Sequence, residues 1–196
     1  MAANTLNKLV FDLETQKSFD DVGGFGKNHL LKISVISVYS YLEDKYYCFE
    51  EDQVYKVGEM FQEADQIIGY NIKSFDFEVL RPYLNYNVDD LPYLDIMVDV
   101  ANLVGHRLKL DNIAQTTLGM GKTGDGLEAL KLFKQGRIEE LKKYCTMDVK
   151  ITKDIYDYVQ SYGKLLYKDY FDTKEIKISF AEPQSRKPVQ RQASLF

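Results

Sequence analysis

The order of β-rich and helical segments is the feature that most restricts the fold of this chain. Three segments rich in apolar, β-branched and aromatic residues come first, at Leu9–Leu13, Lys32–Tyr41 and Lys45–Phe49. Their composition predicts three strands, and the turn at Glu43–Asp44 predicts that the second and third pair with each other. Helical and strand patterns alternate in the rest of the chain, which predicts an α/β domain with a mixed sheet.

The spacing of apolar residues defines the helical segments. The longest, Arg137–Tyr162, has one apolar face, which we expect to pack against the sheet. Asp52–Glu63 predicts an amphipathic helix capped by Asp52, and Ser74–Leu84 predicts a helix that ends near Pro82. The other predicted elements are a strand at Ile67–Tyr70, a short strand or helix entry at Leu94–Met97, a helix at Leu110–Leu118, and two segments, Leu165–Phe171 and Glu175–Phe180, that form either a hairpin or extensions of the last helix.

A change in composition at Ala181 predicts the boundary of the folded domain. Residues 181–196 are rich in Pro, Gln, Ser and basic residues and cannot bury enough apolar surface to fold alone. We therefore predict one domain at residues 1–180 and a disordered tail at 181–196.

Composition and terminal patterns also bear on location and chemistry. No apolar run approaches the roughly 20 residues that span a bilayer, and the N-terminus lacks the pattern of a secretory signal, so we expect a soluble, cytoplasmic protein with no membrane partner.

Two cysteines and two histidines are too few for a disulfide framework or a zinc ribbon. The net charge of −5 argues against binding nucleic acid through a broad basic surface alone. It does not exclude a nucleic-acid enzyme, because bound metal would cancel the charge of a carboxylate cluster.

Asp12 and Glu14 end the first predicted strand and are two residues apart. A strand repeats every two residues, so both side chains lie on the same face of the sheet and can share a metal ion. A charged pair that ends a buried strand is costly without compensation, and a divalent cation would compensate it. A solvent-exposed strand end is the alternative interpretation of an isolated pair of this kind.

Three further candidates lie on predicted helices. Tyr144 and Asp148 are four residues apart on the longest helix and therefore share one face, close to its buried side. Asp76 falls in the first turn of its helix, where the helix dipole favours a negative charge. Taken singly, the Tyr144–Asp148 pair is more often a simple surface contact, and Asp76 is more often an ordinary first-turn acid.

Together the acidic segments match a known pattern. Phe11–Thr15 resembles the first exonuclease motif of the DEDD superfamily, Ile68–Asp76 the second, and Tyr144–Asp148 the third, in the form with tyrosine that marks the DEDDy branch. The resemblance covers about residues 8–160. It implies a ribonuclease H-like fold, with a five-stranded mixed sheet flanked by helices, of the group that includes the proofreading domains of DNA polymerases.

The resemblance also implies the chemistry. Asp12, Glu14, Asp76 and Asp148 would hold two Mg²⁺ or Mn²⁺ ions, and Tyr144 would complete the catalytic set. Two such ions supply a deprotonated water, charge relief on the phosphoryl oxygens and stabilisation of the leaving oxygen in phosphodiester hydrolysis. A phenol, with a reference pKa of about 10, is a poor base at neutral pH, so Tyr144 is expected to orient the water and not to take its proton.

Other residues are predicted to contact substrate. Thr15, Asn71 and Phe75 lie in the first two motifs, where the resembling families place substrate-contacting groups, and Phe75 is either a stacking platform for a terminal base or part of the core. The loop Gly23–Gly26 follows the first motif and either flanks the substrate channel or connects two strands.

The tail contains a short motif of a different kind. Gln192–Phe196 resembles the peptide by which bacterial replication and repair proteins bind the sliding clamp, with Ala193 where a leucine is common. Leu195 and Phe196 would enter an apolar pocket of the clamp while Gln192 forms hydrogen bonds at its rim.

Together the two resemblances imply a two-metal-dependent 3′–5′ exonuclease that acts on single-stranded DNA or DNA 3′ ends in replication or repair and is recruited by a sliding clamp. A 3′–5′ exoribonuclease is the first alternative, because recognition of a 2′-hydroxyl cannot be deduced from sequence. A non-catalytic scaffold that binds the clamp or nucleic acid is the second.

Overall fold

The computed structural model describes residues 6–121, 126–181 and 183. Within these residues, five strands form one mixed sheet in the order β3-β2-β1-β4-β5. The strands are β1 (Lys8–Thr15), β2 (Ile33–Ser40), β3 (Lys45–Glu50), β4 (Gln66–Gly69) and β5 (Tyr93–Asp95). β1 pairs antiparallel with β2 and parallel with β4, while β2–β3 is antiparallel and β4–β5 is parallel. The predicted α/β fold with a five-stranded mixed sheet is confirmed.

Helices cover both faces of the sheet. The described helices are α1 (Val54–Glu63), α2 (Asp76–Leu80), α3 (Ile96–Val104), α4 (Leu110–Leu118), α5 (Gly126–Lys134) and α6 (Ile138–Tyr162). On one face, Leu9 and Phe11 of β1 pack in a core with Phe61 of α1 and Phe77 of α2. The Phe11 ring lies 4.8 Å from that of Phe61 and 5.9 Å from that of Phe77, between centroids.

The opposite face of the sheet is covered by α6. Val10 of β1 packs there with Val149 and Ile155 of α6, as the apolar stripe of that helix predicts. Strand residues alternate between faces, so the side chains that follow Val10 at every second position also point toward α6. Asp12 and Glu14 are those residues.

A two-stranded sheet follows α6. β6 (Lys164–Lys168) pairs antiparallel with β7 (Thr173–Lys177), so the predicted hairpin is confirmed and its alternative, an extension of the last helix, is wrong. The hairpin packs against α4, where the Thr117 hydroxyl donates to the Leu166 carbonyl at 2.8 Å. Phe180 closes this core by stacking on Tyr156 with ring centroids 5.7 Å apart.

Two local predictions are corrected, and a third, left open between two alternatives, is resolved. Asp52 does not cap α1. It lies in a 3-10 turn at Glu51–Gln53 that precedes α1 and is capped reciprocally by the side chains of Glu50 and Gln53. The helix expected at Ser74–Leu84 is shorter, with α2 at Asp76–Leu80 followed by a 3-10 turn at Arg81–Tyr83. Leu94–Met97 contains both a strand end and a helix start, since β5 leads directly into α3.

Two further points concern the extent of the chain. Apart from residues 181 and 183, the predicted tail lies outside the described residues, as do Gln192, Leu195 and Phe196, so these predictions stay predictions. None of the described helices combines the length and the apolar character needed to cross a bilayer.

Candidate active site

The end of β1 and the middle of α6 bring three carboxylates together. One carboxylate oxygen from each of Asp12, Glu14 and Asp148 lies within 4.8 Å of the other two. Asp148 is only 2% exposed, whereas Asp12 and Glu14 are partly buried. Three like charges at this separation repel one another, and burial strengthens the repulsion by lowering the local dielectric constant. Bringing them together therefore costs free energy that a bound cation would offset.

Asp76 is distant from β1 in sequence but contacts that strand in the structure. It is the first residue of α2 and is 2% exposed. Its Oδ1 accepts a hydrogen bond of 3.3 Å from the backbone N–H of Leu13, the residue between the two acids of β1. It lines the same cleft as the three carboxylates but does not belong to the group within 4.8 Å.

The four carboxylates line an open cleft of about 1350 Å³. This volume exceeds the roughly 300–1,000 Å³ of a typical small-molecule pocket, so the cleft has room for part of a polymer. Thr15, Asn71 and Phe75, predicted to contact substrate, also lie in its lining. The structure thus brings seven of the eight predicted metal, catalytic and substrate residues to one cleft.

Tyr144 is the eighth residue, and the described lining of the cleft does not include it. Its side chain is buried in a small apolar cluster with Leu141 of its own helix and with Ala129 and Leu132 of α5. Tyr144 was expected close to the buried side of its helix, but α5, which supplies Ala129 and Leu132, was not predicted.

Asn71 and Thr15 are held by local hydrogen bonds. Asn71 adopts a left-handed backbone conformation with φ of 69°, which asparagine tolerates better than most residues. Its side-chain oxygen accepts a hydrogen bond of 2.5 Å from the Ser74 hydroxyl. The Thr15 hydroxyl donates to the Lys17 carbonyl at 2.9 Å. Both side chains are therefore fixed before any substrate binds.

Asp95 is a buried carboxylate that the sequence analysis missed. Its Oδ1 accepts from the backbone N–H groups of Asn71 at 2.8 Å and Met97 at 3.1 Å, and its Oδ2 accepts from that of Lys73 at 2.9 Å. It caps α3 and simultaneously holds the loop that leads to Asp76. An aspartate between a strand and an apolar helical segment is the signal that could have identified the cap.

Basic residues of the cleft were also missed. Lys17, Arg107 and Lys109 are exposed and lie in the lining, on the segments that follow β1 and α3. The Tyr70 hydroxyl, at the end of β4, fixes the second segment by donating to the Leu108 carbonyl at 2.7 Å. These three cations give the cleft groups that can bind phosphates despite the net negative charge of the chain.

Cys145 lies beside the carboxylates but is not equipped as a nucleophile. Its thiol donates to the backbone carbonyl of Asp12 at 3.3 Å. Burial, and secondarily the charges of Asp12 and Glu14, raise the pKa of the thiol well above its usual range. It therefore stays protonated at neutral pH, whereas a nucleophilic cysteine needs a lowered pKa.

Comparisons with known proteins agree with this architecture. The RNase_H_2 family model, described as RNase_H superfamily, matches residues 9–160, the span from β1 to α6 that contains all four carboxylates. Among solved structures, the chain is similar to the family B DNA polymerase from the hyperthermophilic archaeon Pyrobaculum calidifontis, with a TM-score of 0.59 and 16% sequence identity over 80% of this chain. The match covers 25% of the polymerase, so this chain spans about a quarter of its length. At this level of identity the similarity shows a common fold. No curated protein matches the sequence.

Proposed function

The chain belongs to the RNase_H_2 family of the RNase H superfamily, and on this basis we propose that it is a metal-dependent 3′–5′ exonuclease of the DEDDy type, acting on the 3′ ends of single-stranded DNA. One observation carries the proposal, namely the juxtaposition of Asp12, Glu14 and Asp148 within 4.8 Å in an open cleft.

The donor set fits hard divalent cations. Carboxylate oxygens are the ligands that Mg²⁺ and Mn²⁺ prefer, and the cluster offers them from three side chains. Asp12, Glu14 and Asp148 would hold the metal, with Asp76 as the fourth carboxylate of a two-ion site. When bound, two divalent ions supply an activated water, neutralise charge on the phosphoryl oxygens and stabilise the leaving 3′ oxygen.

The remaining residues of the cleft would bind and orient the substrate. Lys17, Arg107 and Lys109 carry the positive charge that contacts phosphates, and Phe75 presents an aromatic ring to the terminal base. Asn71 and Thr15 lie next to these groups with their side chains already fixed. Fixed groups lose little entropy when the substrate binds.

Tyr144 is assigned to orient the attacking water. Its hydroxyl is buried, and its side chain packs in a cluster with Ala129 and Leu132 of α5, so this role requires the hydroxyl to become accessible when substrate binds. Tyr144→Phe is expected to slow turnover by about tenfold. An unchanged turnover rate would assign Tyr144 to packing alone.

End-labelled substrates test the proposed reaction. The full chain would be incubated with single-stranded DNA and RNA labelled at the 3′ or 5′ end, in Mn²⁺, in Mg²⁺ and in EDTA. The expected result is metal-dependent release of the 3′ label as mononucleotide, faster on DNA than on RNA. Release of the 5′ label first would reverse the proposed polarity, and faster digestion of RNA would favour an exoribonuclease. A folded protein that degrades neither polymer would contradict the proposed function.

We further propose that the segment Gln192–Phe196 recruits the enzyme to a sliding clamp, on the strength of its sequence alone. A tethered clamp ligand raises the local concentration of the enzyme on DNA without new contacts in the cleft. Binding of the full chain to a bacterial clamp should be lost in the double variant Leu195→Ala/Phe196→Ala and retained in Val189→Ala, an apolar tail residue outside the motif. Equal binding by both variants would contradict the assignment.

A further inference from the structure

A row of three phenylalanines leads out of the cleft. Phe75 and Phe19 line the cleft, with ring centroids 6.1 Å apart in an edge-to-face arrangement. The Phe25 ring lies 4.5 Å from that of Phe19 and is tilted by 39°. Phe25 is 87% exposed, so the row begins beside the carboxylates and ends in solvent. We call these three residues the aromatic row.

The loop that presents Phe25 has a defined backbone. Gly23, Gly24 and Gly26 have φ values of 83°, 106° and 83°, which L side chains rarely adopt. Glycines on both sides therefore allow the sharp turns that leave the Phe25 ring on the outside. The Gly24 N–H donates to the Phe19 carbonyl at 2.8 Å, which ties Phe25 to the base of the row.

Contacts outside the loop fix its position relative to the cleft. The Asn28 side chain donates to the Ser74 carbonyl at 3.1 Å, immediately before Phe75. Asp21 lies 3.6 Å from the ammonium group of Lys134 at the end of α5. The aromatic row is thus attached both to the segment that carries the second motif and to the helix that covers Tyr144.

A single exposed phenylalanine is common on protein surfaces and needs no explanation. Phe25 differs because it continues a row that starts in a cleft with cations in its lining. Aromatic side chains alternating with positive charge are how proteins bind single-stranded nucleic acid without sequence preference, since every base has a π face and every nucleotide a phosphate. With one base on each ring, a row of three rings accommodates about three nucleotides.

We propose that Phe19 and Phe25 form a base-binding track that holds the unpaired strand upstream of the scissile phosphate. This inference rests on the proposed function and extends it from the terminal nucleotide to its neighbours. Bases in a duplex are already stacked and paired, so the track selects an unpaired strand. Substrates long enough to reach Phe25 therefore bind more tightly than a dinucleotide, which occupies only the carboxylate end of the cleft.

The test compares Phe25→Ala with Phe171→Ala in the full chain. Phe171 is a matched control because it is 92% exposed and lies between β6 and β7, outside the aromatic row. The steady-state kcat/KM would be measured on a single-stranded oligonucleotide and on a dinucleotide. Phe25→Ala is expected to lower kcat/KM for the oligonucleotide by about tenfold and to leave that for the dinucleotide unchanged. Phe25→Tyr should restore the rate on the oligonucleotide, because tyrosine also offers a ring for stacking.

Abasic oligonucleotides give a second readout. Removing the second and third bases from the 3′ end should weaken binding to the wild-type chain and have a smaller effect on Phe25→Ala, which keeps Phe19. Equal kcat/KM of wild type and Phe25→Ala on the oligonucleotide would overturn the track while the proposed function stands. An equal loss in Phe171→Ala, or a change in oligomeric state without a change in kcat/KM, would also overturn it. A wild-type chain that cleaves neither substrate would contradict the proposed function itself.

Discussion

The contact between β1 and α6 carries charged groups at both of its ends, and the two ends differ in how those charges are arranged. At the balanced end, defined by Lys8, Tyr41, Lys153, Tyr156 and Asp157, opposite charges and hydroxyl groups meet. The Tyr41 hydroxyl donates to Asp157 at 2.6 Å, Lys153 donates to the same carboxylate at 2.7 Å, and Lys8 donates to Tyr156 at 3.2 Å. At the acidic end, Asp12, Glu14 and Asp148 place three like charges within 4.8 Å.

One strand and one helix thus hold both arrangements. At the balanced end the side chains attract one another, so they contribute to the stability of the fold. At the acidic end the carboxylates repel one another, and packing elsewhere in the domain must hold them together. The comparison favours a structural role for the balanced end and supports the proposed metal-binding role of the acidic end.

The largest effect is expected from a substitution at the acidic end. Asp12→Ala removes one carboxylate of the cluster and should lower exonuclease activity on the order of a thousandfold. In metal-free buffer it should not lower the free energy of unfolding, because one repulsive charge is gone. Nucleotide release and urea unfolding of the same preparation measure both quantities. A loss of stability that accounts for the loss of activity would make Asp12 a structural residue and erase the difference between the two ends.

Asp95 tests the comparison in a second way. It is a carboxylate near the acidic end, but its hydrogen bonds are to backbone N–H groups, as expected of a structural residue. Asp95→Ala removes the acceptor for the N–H groups of Asn71, Lys73 and Met97 and should lower the free energy of unfolding by about 3 kcal/mol. Activity should fall by about tenfold, since the loop that leads to Asp76 loses its anchor.

The control for this experiment is Asp95→Asn, which keeps Oδ1 and loses only the acceptor for Lys73. Urea unfolding should show about half the destabilisation of the alanine variant. If both variants are as stable as wild type but inactive, Asp95 belongs with the metal-binding carboxylates.

Added metal should act on the acidic end alone. Mn²⁺ at a hundred times its Kd would stabilise the folded chain by about 2.7 kcal/mol and raise Tm by about 5–10 °C. Differential scanning fluorimetry with and without EDTA measures the shift. Asp148→Ala should show little of this rise, whereas Lys153→Met, at the balanced end, should retain it. An equal rise in both variants would place the metal elsewhere.

The smallest expected effect is a pH dependence that originates at the balanced end. Burial, followed by the hydrogen bond to Asp157, raises the pKa of Tyr41 well above its ordinary value of 10.0. Above pH 10 the unfolded chain loses this proton while the folded chain keeps it, so the stabilisation is present below pH 10 and is lost as pH rises beyond it.

Tyr41→Phe removes this contribution. The loss of unfolding free energy between pH 10 and pH 11 should be smaller than in wild type by about 1 kcal/mol. Urea unfolding at the two pH values measures it, with the exposed Tyr55→Phe as control. The same dependence in Tyr41→Phe and wild type would show that other groups titrate.

Periodic patterns explain how much of this structure the sequence predicted. The alternation of side chains in β1 and the apolar stripe of α6 are local properties of the sequence. They place Asp12, Glu14 and Asp148 on the faces by which β1 and α6 contact each other. The hydrogen bond from Leu13 to Asp76 joins residues 63 positions apart, so no local pattern contains it. The burial of Tyr144 depends in the same way on α5, a short helix that was not predicted.

Asp52 and Phe25 show two other reasons for a missed prediction. Asp52 has the residue type of a cap, but it lies inside a 3-10 turn at Glu51–Gln53 that Glu50 and Gln53 cap reciprocally and that precedes α1. Phe25 lies between glycines and gives no sign in the sequence that it faces Phe19, since loop geometry brings the rings together. Residue type and periodicity predicted the carboxylates of the site, while contacts between distant segments determine which other residues line the cleft.

The most direct test of the account compares two aspartates of α6. Asp148→Asn and Asp157→Asn each remove one negative charge from the same helix, one at the acidic end and one at the balanced end. Release of the 3′ label from single-stranded DNA in Mn²⁺ would be measured for both folded variants beside wild type. We expect Asp148→Asn to be inactive and Asp157→Asn to keep wild-type activity. Equal activity of the two variants would contradict the assignment of the acidic end as the metal-dependent nuclease site.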